Sequence, residues 1–215
     1  MQVYPTLPEH LNEVTRCHMA CFPGSFGTRL GYHYARRSLE WFLAGDNRFL
    51  FHVCSNEKII GYCGGFQSSG IGDGSTSGIM QYAMKEAVKG ALKKPYMVFH
   101  PDIVDAYPLI FKNIFRKIFK RKKKTVTPVQ VNSVQPKIGL VVIGVHPLHR
   151  GQGCFELLMQ HFEAECHKRN IEKITLSVKP ANARAIAAYS KAGWQIASQT
   201  NKAIDMYKII VAADA

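Results

Sequence analysis

The feature that most constrains the fold of this chain is an apolar strand that leads through a glycine turn directly into a helix. Residues 138–145 read IGLVVIGV, a continuous apolar run typical of a strand that is buried on both faces. The turn over 147–153 contains two glycines, and residues 155–169 then place apolar side chains at helical spacing. This order predicts a sheet with helices packed against it.

The remainder of the chain predicts further strands and helices around this unit. A strand over 171–178 follows the helix, so the strand at 138–145 is expected to pair with it in parallel through a crossover. The other expected elements are helices over 9–22, 30–44, 79–92 and 182–192, a hairpin of strands 48–54 and 59–66, and closing strands 194–197 and 203–211.

Residues 67–136 differ from the rest of the chain in charge. They hold twelve Lys plus Arg against four Asp plus Glu, so this segment contributes +8 of the formal net charge of +13. We therefore expect one domain over 1–215 that carries 67–136 as a helical basic insertion with its own partner surface. Within the insertion, 107–124 predicts an amphipathic helix with an apolar stripe and a basic face.

The predicted basic helix leaves several interpretations open. Residues 116–124 hold seven Lys or Arg in nine, which is the electrostatic footprint of a contact with an anionic partner. The Ile and Phe residues of the stripe are poor platforms for stacked bases and suit a lipid headgroup layer or a partner protein better. Peripheral contact of 107–124 with an anionic membrane is therefore the expected partnership, and no nucleic acid is expected. A solvated surface helix is the alternative, and a homodimer is left open.

Cysteine and histidine spacing gives no indication of a metal site. Cys17 and Cys21 are four residues apart, but no second pair stands at ligand spacing, so we expect free thiols. The nine histidines include no HExxH arrangement, and no metal is expected. Residues 1–10 lack the blocks of a signal peptide, and no apolar run is long enough to span a bilayer, so a cytoplasmic location is expected.

The turn after the apolar strand has the properties of an anion site. Unpaired backbone N–H groups at a helix start attract negative charge, and the helix dipole strengthens that attraction. Gly151 and Gly153 allow close approach of a phosphate, and Arg150 adds a fixed positive charge. The spacing is neither a dinucleotide fingerprint nor a P-loop. The turn therefore predicts a diphosphate cradle, with an ordinary strand-to-helix turn as the alternative.

Two motifs in this region resemble those of the GNAT acetyltransferase superfamily. Residues 150–155, RGQGCF, are similar to the family's Arg/Gln-x-x-Gly-x-Gly/Ala turn, except for Phe155 at the last position. Residues 182–194, NARAIAAYSKAGW, resemble its Asn-x-x-Ala-x-x-x-Tyr-x-x-x-Gly-Phe motif. The resemblance covers 138–210. It implies an α/β (α+β) fold with a mixed, mostly antiparallel sheet, a central splayed parallel strand pair and helices on both faces.

The resemblance also implies roles for individual residues, with acetyl-CoA as co-substrate. An N–H of Ile143 would stabilise the oxyanion, and Tyr189 would protonate the departing thiolate. His146 is the candidate general base, with a neutral amine or a water chain as alternatives. The expected cofactor-binding residues are Ile143, Gly144, Val145, Arg150, Gly151, Gln152, Gly153, Cys154, Phe155, Asn182 and Tyr189.

The function implied by the resemblance is transfer of an acetyl group from acetyl-CoA directly to an amine. Residues 21–31, with the basic insertion, look similar to acetyltransferases of bacterial surface-polysaccharide assembly, whose acceptors are amino sugars. The alternatives are a non-catalytic acyl-CoA-binding module and an acyltransferase that uses another acyl-CoA or an oxygen acceptor. Side chains expected on the acceptor side, with core packing as the alternative, are Phe26, Arg29, Tyr32, His33 and Tyr34.

Overall fold

A computed structural model describes residues 1–68, 74–94 and 136–210. The strands are β1 (Gln2–Pro5), β2 (Arg48–Ser55), β3 (Lys58–Ser68), β4 (Lys137–Val145), β5 (Lys173–Val178), β6 (Gln195–Gln199) and β7 (Ile204–Ile209). The helices are α1 (Leu11–Cys21), α2 (Phe26–Leu30), α3 (Tyr32–Glu40), α4 (Ser75–Tyr82), α5 (Met84–Lys93), α6 (Cys154–Lys168) and α7 (Ala183–Lys191). Across these three ranges, no helix is long and apolar enough to cross a membrane.

The seven strands form one sheet in the order β1-β2-β3-β4-β5-β7-β6. Neighbouring strands run antiparallel except β4 and β5, which pair in parallel at the centre. The helix α6 makes the crossover between those two strands, as a parallel connection requires. The expected fold class, a mixed and mostly antiparallel sheet with one central parallel pair, is confirmed.

Apolar side chains pack on both faces of the sheet. On one face, α6 buries Leu158 and Phe162 completely against residues of β4 and β5 such as Ile138 and Ile174. On the other face, α1 buries Leu11 and Val14 in a second cluster. The central strands are therefore covered on two sides, which explains why β4 reads as a continuous apolar run.

The structure adds two short elements that the sequence pattern does not predict. Strand β1 is four residues long and exposes three of them, so it shows no alternation of apolar and polar side chains. Helix α2 has only five residues and begins at the Ser25 N-cap, whose hydroxyl accepts a hydrogen bond from the Thr28 N–H at 3.3 Å. Both are too short to show a hydrophobic period.

The segment 67–136 is described only in part. Helices α4 and α5 replace the single expected helix over 79–92, because the chain turns at Ala83, which is fully buried beside Leu30 and Tyr34. Residues 67–78, expected as a loop, include the end of β3 and the start of α4. The predicted amphipathic helix 107–124 lies outside the described residues. Its membrane contact, like the domain division itself, stays a prediction.

Candidate active site

The central feature of the site is a split between β4 and β5. The two strands pair only over Ile138–Leu140 and Ile174–Leu176, although β4 continues to Val145. On its other side, β4 stays paired with β3 along its length, and Val145 at its end lies opposite Gly61. This pairing has one β-bulge, at which Val141 is an extra residue in β4. A bulge of this kind bends a strand and ends regular pairing. Residues 141–145 therefore present a free backbone edge.

The direction of the free backbone groups follows from the register. The N–H of His146 donates to the carbonyl oxygen of Ile60 at 2.8 Å, so the backbone of His146 points toward β3. Gly144, two residues earlier and opposite Tyr62, points the same way. Backbone groups of successive residues in an antiparallel pair point alternately toward the partner and away from it. The N–H and C=O groups of Ile143 and Val145 consequently face the split, not β3.

A cleft of about 780 Å³ opens along this split. One side is the free edge of β4, and the other is formed by the end of β5 and by α7. The expected site residues that line it are Ile143, Gly144, Val145, Arg150, Gly151, Phe155, Asn182 and Tyr189. The structure thus brings residues from both sequence motifs to one cleft, although they are up to about 40 residues apart in the chain.

The start of α6 borders the cleft through Phe155 and Glu156. Its N-cap is Gly153, which supplies no side-chain cap, so the first N–H groups of this helix have no capping side chain. Gly151 and Gly153 both have left-handed backbone angles, with φ of 75° and 80°, and a Cβ at either position would meet open space. Uncapped N–H groups, a fifteen-residue helix dipole and open space together fit a diphosphate.

Arg150 holds the turn in place. Its Nε donates to the Val145 carbonyl oxygen at 3.1 Å, and its Nη2 donates to the Cys21 carbonyl oxygen at 3.4 Å. These bonds link the end of β4, the turn and the end of α1. Arg150 itself is exposed and lines the cleft, so its charge remains close to the helix start.

Three expected cofactor-binding residues do not line the cleft with their side chains. Gln152 is exposed, and its amide donates to the Leu148 carbonyl oxygen at 3.3 Å. Cys154 is 1 % exposed and packs in the core, where its Sγ lies 2.7 Å from the position of a Cβ on Gly61. Gly153 has no side chain and does not line the cleft. These three positions can contribute through their backbone.

Tyr189 stands on α7 at the wall of the cleft. It is 8 % exposed, and its ring packs against Phe155 at 5.9 Å and Trp194 at 6.0 Å between centroids. Burial raises the pKa of the Tyr189 phenol above its ordinary value, and the neighbouring Cys63 raises it further. The phenol therefore keeps its proton at neutral pH and can donate it to a group in the cleft. Phe155, the departure from the family motif, forms part of the apolar wall that buries this ring.

Asn182 begins α7, as its motif position predicts. Its Oδ1 accepts a hydrogen bond from the Ala185 N–H at 3.2 Å, which is an N-cap, and the residue also lines the cleft. Two cations at the rim, Lys179 and Arg184, were not expected from the sequence. Only the fold reveals them, because single basic residues near a loop carry no distinguishing pattern.

His146 and the expected acceptor-side group lie elsewhere. The His146 ring accepts a weak hydrogen bond from the Leu148 N–H at 3.4 Å and does not line the cleft. Tyr32, His33 and Tyr34 line a separate cavity of about 700 Å³ between α3 and α5. Phe26 and Arg29 line neither of these spaces. The residues on the α1 side that do reach the cleft are Cys21 and Phe22.

A comparison with known protein families matches the part of the chain that contains most of these cleft residues. Residues 125–194 match the model of the Acetyltransferase (GNAT) family, a stretch that includes β4, the turn, β5 and α7. No curated protein matches the chain.

Several solved structures share the fold at low sequence identity. The ribosomal-protein-S18-alanine N-acetyltransferase of Escherichia coli has a TM-score of 0.52 and 16% identity, covering 99% of this chain and 96% of that one. The PaiA N-acetyltransferase of Thermoplasma acidophilum, in complex with coenzyme A, has a TM-score of 0.54 and 11% identity, covering 98% and 100%. The aminoglycoside 6'-N-acetyltransferase AAC(6')-IG of Acinetobacter haemolyticus has a TM-score of 0.55 and 12% identity, covering 93% and 94%.

Proposed function

Because the chain has the GNAT acetyltransferase fold, with the match to that family's model over 125–194, we propose that it is an acyl-CoA-dependent N-acetyltransferase. Acetyl-CoA is the proposed acyl donor, and an amine is the proposed acceptor. The observation that carries the proposal is the free edge of β4 at Ile143, which faces the same cleft as the protonated Tyr189.

The start of α6 is the proposed binding site for the diphosphate of the donor. Its uncapped N–H groups provide donors, and the two left-handed glycines keep side chains away from the place that a phosphate would occupy. Arg150 supplies positive charge from the rim of the cleft. The thioester of the donor supplies the activated acetyl group, and the free β4 edge can pair with the extended arm that carries it.

Two groups of the chain are proposed to act on the reaction. The N–H of Ile143 donates to the acetyl oxygen as negative charge develops there, which is typically worth about 10²–10³ in rate. The neutral amine nitrogen bonds to the acetyl carbon, the bond from that carbon to sulfur breaks, and the nitrogen loses a proton to solvent water. Tyr189 donates a proton to the departing sulfur and is reprotonated from solvent. Phe155 and Trp194 restrict water around the Tyr189 ring.

Release of CoA in the presence of amines tests this proposal. The purified chain, with acetyl-CoA and a panel of alkylamines, amino acids, peptides and amino sugars, should release CoA faster with at least one amine than without. Amino sugars are the acceptor class proposed from the sequence of 21–31. Binding of acetyl-CoA without amine-dependent release would favour a non-catalytic acyl-CoA-binding module, and release with alcohols alone would favour an oxygen acceptor.

The basic segment 107–124 is proposed to bring this site to an anionic membrane surface. The support is the sequence pattern alone, an apolar stripe beside clustered basic residues. The chain should co-sediment with vesicles that contain phosphatidylserine, less so at high salt. Replacing Arg116, Lys117, Lys120 and Arg121 by Glu should abolish this while CoA release with a soluble amine continues; a wild-type chain that ignores the vesicles at low salt would rule the contact out.

A further inference from the structure

Two cysteine thiols at the border of the cleft take no part in the reaction proposed above. All six cysteines of the chain are free, and Cys17 and Cys21 stand four residues apart on α1, so their side chains share one face of that helix. Their sulfur atoms are 4.0 Å apart and form a hydrogen bond in which either thiol can donate. Cys21 lines the cleft and Cys17 does not. The pair therefore presents one thiol to the cleft and supports it with a second.

The Cys21 sulfur touches β4 next to the backbone groups that face the split. It lies 3.1 Å from the place that a Cβ on Gly144 would occupy, so the sulfur fills space that this glycine leaves. Gly144 directly follows Ile143, whose N–H is proposed to contact the acetyl group of the donor. Because that acetyl group is bonded to the CoA sulfur, we expect the CoA sulfur and the Cys21 sulfur to lie at the same end of the cleft.

The surroundings of Cys21 favour its thiolate form. A hydrogen bond from Cys17 lowers the pKa of the Cys21 thiol, burial raises it, and the Arg150 guanidinium lowers it, so that the pKa lies below its ordinary value. Arg150 also donates to the Cys21 carbonyl oxygen at 3.4 Å, which keeps its charge at the end of α1. Since the carboxyl end of a helix disfavours an anion, this cation offsets an unfavourable contribution at Cys21.

The other titratable groups packed around the pair come from three elements. Tyr62 of β3 is fully buried, and burial raises its pKa well above the ordinary value. Burial also raises the pKa of Cys154 on α6, on which the neighbouring Glu156 acts in the same direction. Desolvation lowers the pKa of His18 on α1 to about 4. Tyr62, Cys154 and His18 are therefore uncharged at pH 7.

Cys54 on β2 provides a comparison, because it is more exposed than Cys21. Burial raises the pKa of Cys54, and the charge of Glu13 raises it further. If exposure alone decided reactivity, Cys54 would react before Cys21. If the thiolate fraction decides it, Cys21 reacts first.

We propose that Cys21 is a modification site for disulfides of CoA, which exchange with its thiol and leave CoA attached within the cleft. This inference rests on the proposed function, because the start of α6 must hold the diphosphate that brings the CoA sulfur to Cys21. Cys17 is a positioning residue, which donates its hydrogen bond to the Cys21 thiolate. The attached CoA occupies the place of acetyl-CoA, so the modification stops acetyl transfer until a thiol reduces the new bond.

The exchange needs no oxidant other than the disulfide itself. The Cys21 thiol loses its proton to solvent, and the thiolate attacks one sulfur of CoA disulfide. A sulfur–sulfur bond forms between Cys21 and that CoA, while the original sulfur–sulfur bond breaks. The second CoA leaves as a thiolate and takes a proton from solvent. One disulfide thus replaces another.

Mass spectrometry of the intact full chain, reduced and freed of small thiols, follows the reaction with CoA disulfide at pH 7. Wild type should gain one CoA per chain, and dithiothreitol should remove it. After removal of excess disulfide, the modified chain should lose amine-dependent CoA release and regain it on reduction. Glutathione disulfide at the same concentration should react at least about 10-fold more slowly, because it has no diphosphate to place it in the cleft. Desulfo-CoA, which has no thiol, should slow the reaction of CoA disulfide.

Substitutions assign the site and the role of its neighbour. Cys21→Ser should gain no CoA, whereas the control Cys54→Ser should gain it at the wild-type rate. Cys17→Ala should slow the reaction about 3- to 10-fold at pH 7 and displace its rate–pH profile to higher pH, because the thiolate loses a hydrogen-bond donor. Cys17→Ser, which keeps a donor, should recover part of that rate.

The inference and the proposed function fail differently. In a chain that binds acetyl-CoA by calorimetry, the absence of a CoA adduct, or an adduct that persists in Cys21→Ser, overturns the assignment of Cys21. Equal rates with CoA disulfide and glutathione disulfide overturn the direction of the reaction by the cleft, and an unchanged pH profile in Cys17→Ala overturns the role of Cys17. A chain that binds no acetyl-CoA overturns the proposed function itself.

Discussion

The guanidinium Nε of Arg150 donates to the Val145 carbonyl oxygen at 3.1 Å, five residues back along the chain. Val145 is the last residue of β4, and its carbonyl faces the split. A single hydrogen bond thus ties the end of the free strand edge to the turn before α6. The relative position of the proposed oxyanion donor and of the proposed diphosphate site depends on it.

Replacement of Arg150 by Met should therefore weaken acetyl-CoA binding about 10-fold or more, through loss of both the charge and this tie. Arg150→Lys should recover little, because an ammonium cannot donate to Val145 and Cys21 together with the geometry of a guanidinium fork. Calorimetry measures the acetyl-CoA affinity of both variants. Lys191→Met, a loss of one exposed charge elsewhere on α7, is the control, and an equal effect there would show that only net charge matters.

Tyr189→Phe removes the proposed proton donor and keeps the ring that packs against Phe155 and Trp194. We expect kcat to fall about 10²-fold or more, with the acetyl-CoA dissociation constant changed by less than about 3-fold. Tyr4→Phe, on the exposed edge strand β1, is the matched control. A wild-type rate in Tyr189→Phe would leave this tyrosine with a packing role only.

Proline substitution in β4 tests the direction of its backbone groups. Ile143→Pro removes an N–H that faces the split, so the pairing with β3 should largely survive while kcat falls about 10²-fold. Val142→Pro removes an N–H that faces β3 and should unfold the chain. Thermal unfolding followed by circular dichroism separates the two; equal destabilisation by both variants contradicts the assignment of direction.

His52 on β2 predicts a pH dependence of stability. It is 2 % exposed, and its Nδ1 lies 3.0 Å from the Thr6 hydroxyl. Burial, with a further contribution from the charge of His10, lowers the pKa of His52 to about 4 from the ordinary 6.5. The neutral ring is therefore the native form, and its stabilisation is complete above pH 6.5 and is lost as pH falls from 6.5 to 4.

Urea unfolding at pH 7 and at pH 4.5 measures this effect. The free energy of unfolding of wild type should fall from pH 7 to pH 4.5, with His52 contributing on the order of 1 kcal/mol per pH unit. His52→Gln should lose less stability over the same range. His167→Gln, on the surface of α6, should keep the wild-type slope. The half-buried His18, whose pKa desolvation also lowers to about 4, adds a slope that remains in both variants.

Long periodic segments and the turn motif allow much of the fold to be predicted from the sequence. The pattern of 138–194 predicts β4, α6, β5 and α7 within a few residues, because each is long enough to show its period. Short elements such as β1 and α2 cannot be predicted in this way, because they span too few residues to show a hydrophobic period. The motif also predicts which residues surround the cleft, since Asn182 caps α7 and Tyr189 follows at a fixed spacing on the same helix.

Side-chain direction near the turn could not be predicted in the same way. Cys154 follows Gly153 in the motif but points into the core, because the left-handed glycine turns the chain just before α6 begins. His146 is next to the strand end in sequence but lies outside the cleft.

Calorimetry of acetyl-CoA binding to wild type, Gly153→Asn and Gly153→Asp tests the proposed diphosphate site at the start of α6. Asn tolerates the left-handed conformation at φ 80° and has nearly the same shape as Asp, so the two variants differ by one negative charge at the α6 start. We expect Gly153→Asn to bind acetyl-CoA within about 10-fold of wild type and Gly153→Asp to lose about another 10-fold or more. Equal affinity in the two variants would contradict a diphosphate site at the start of α6.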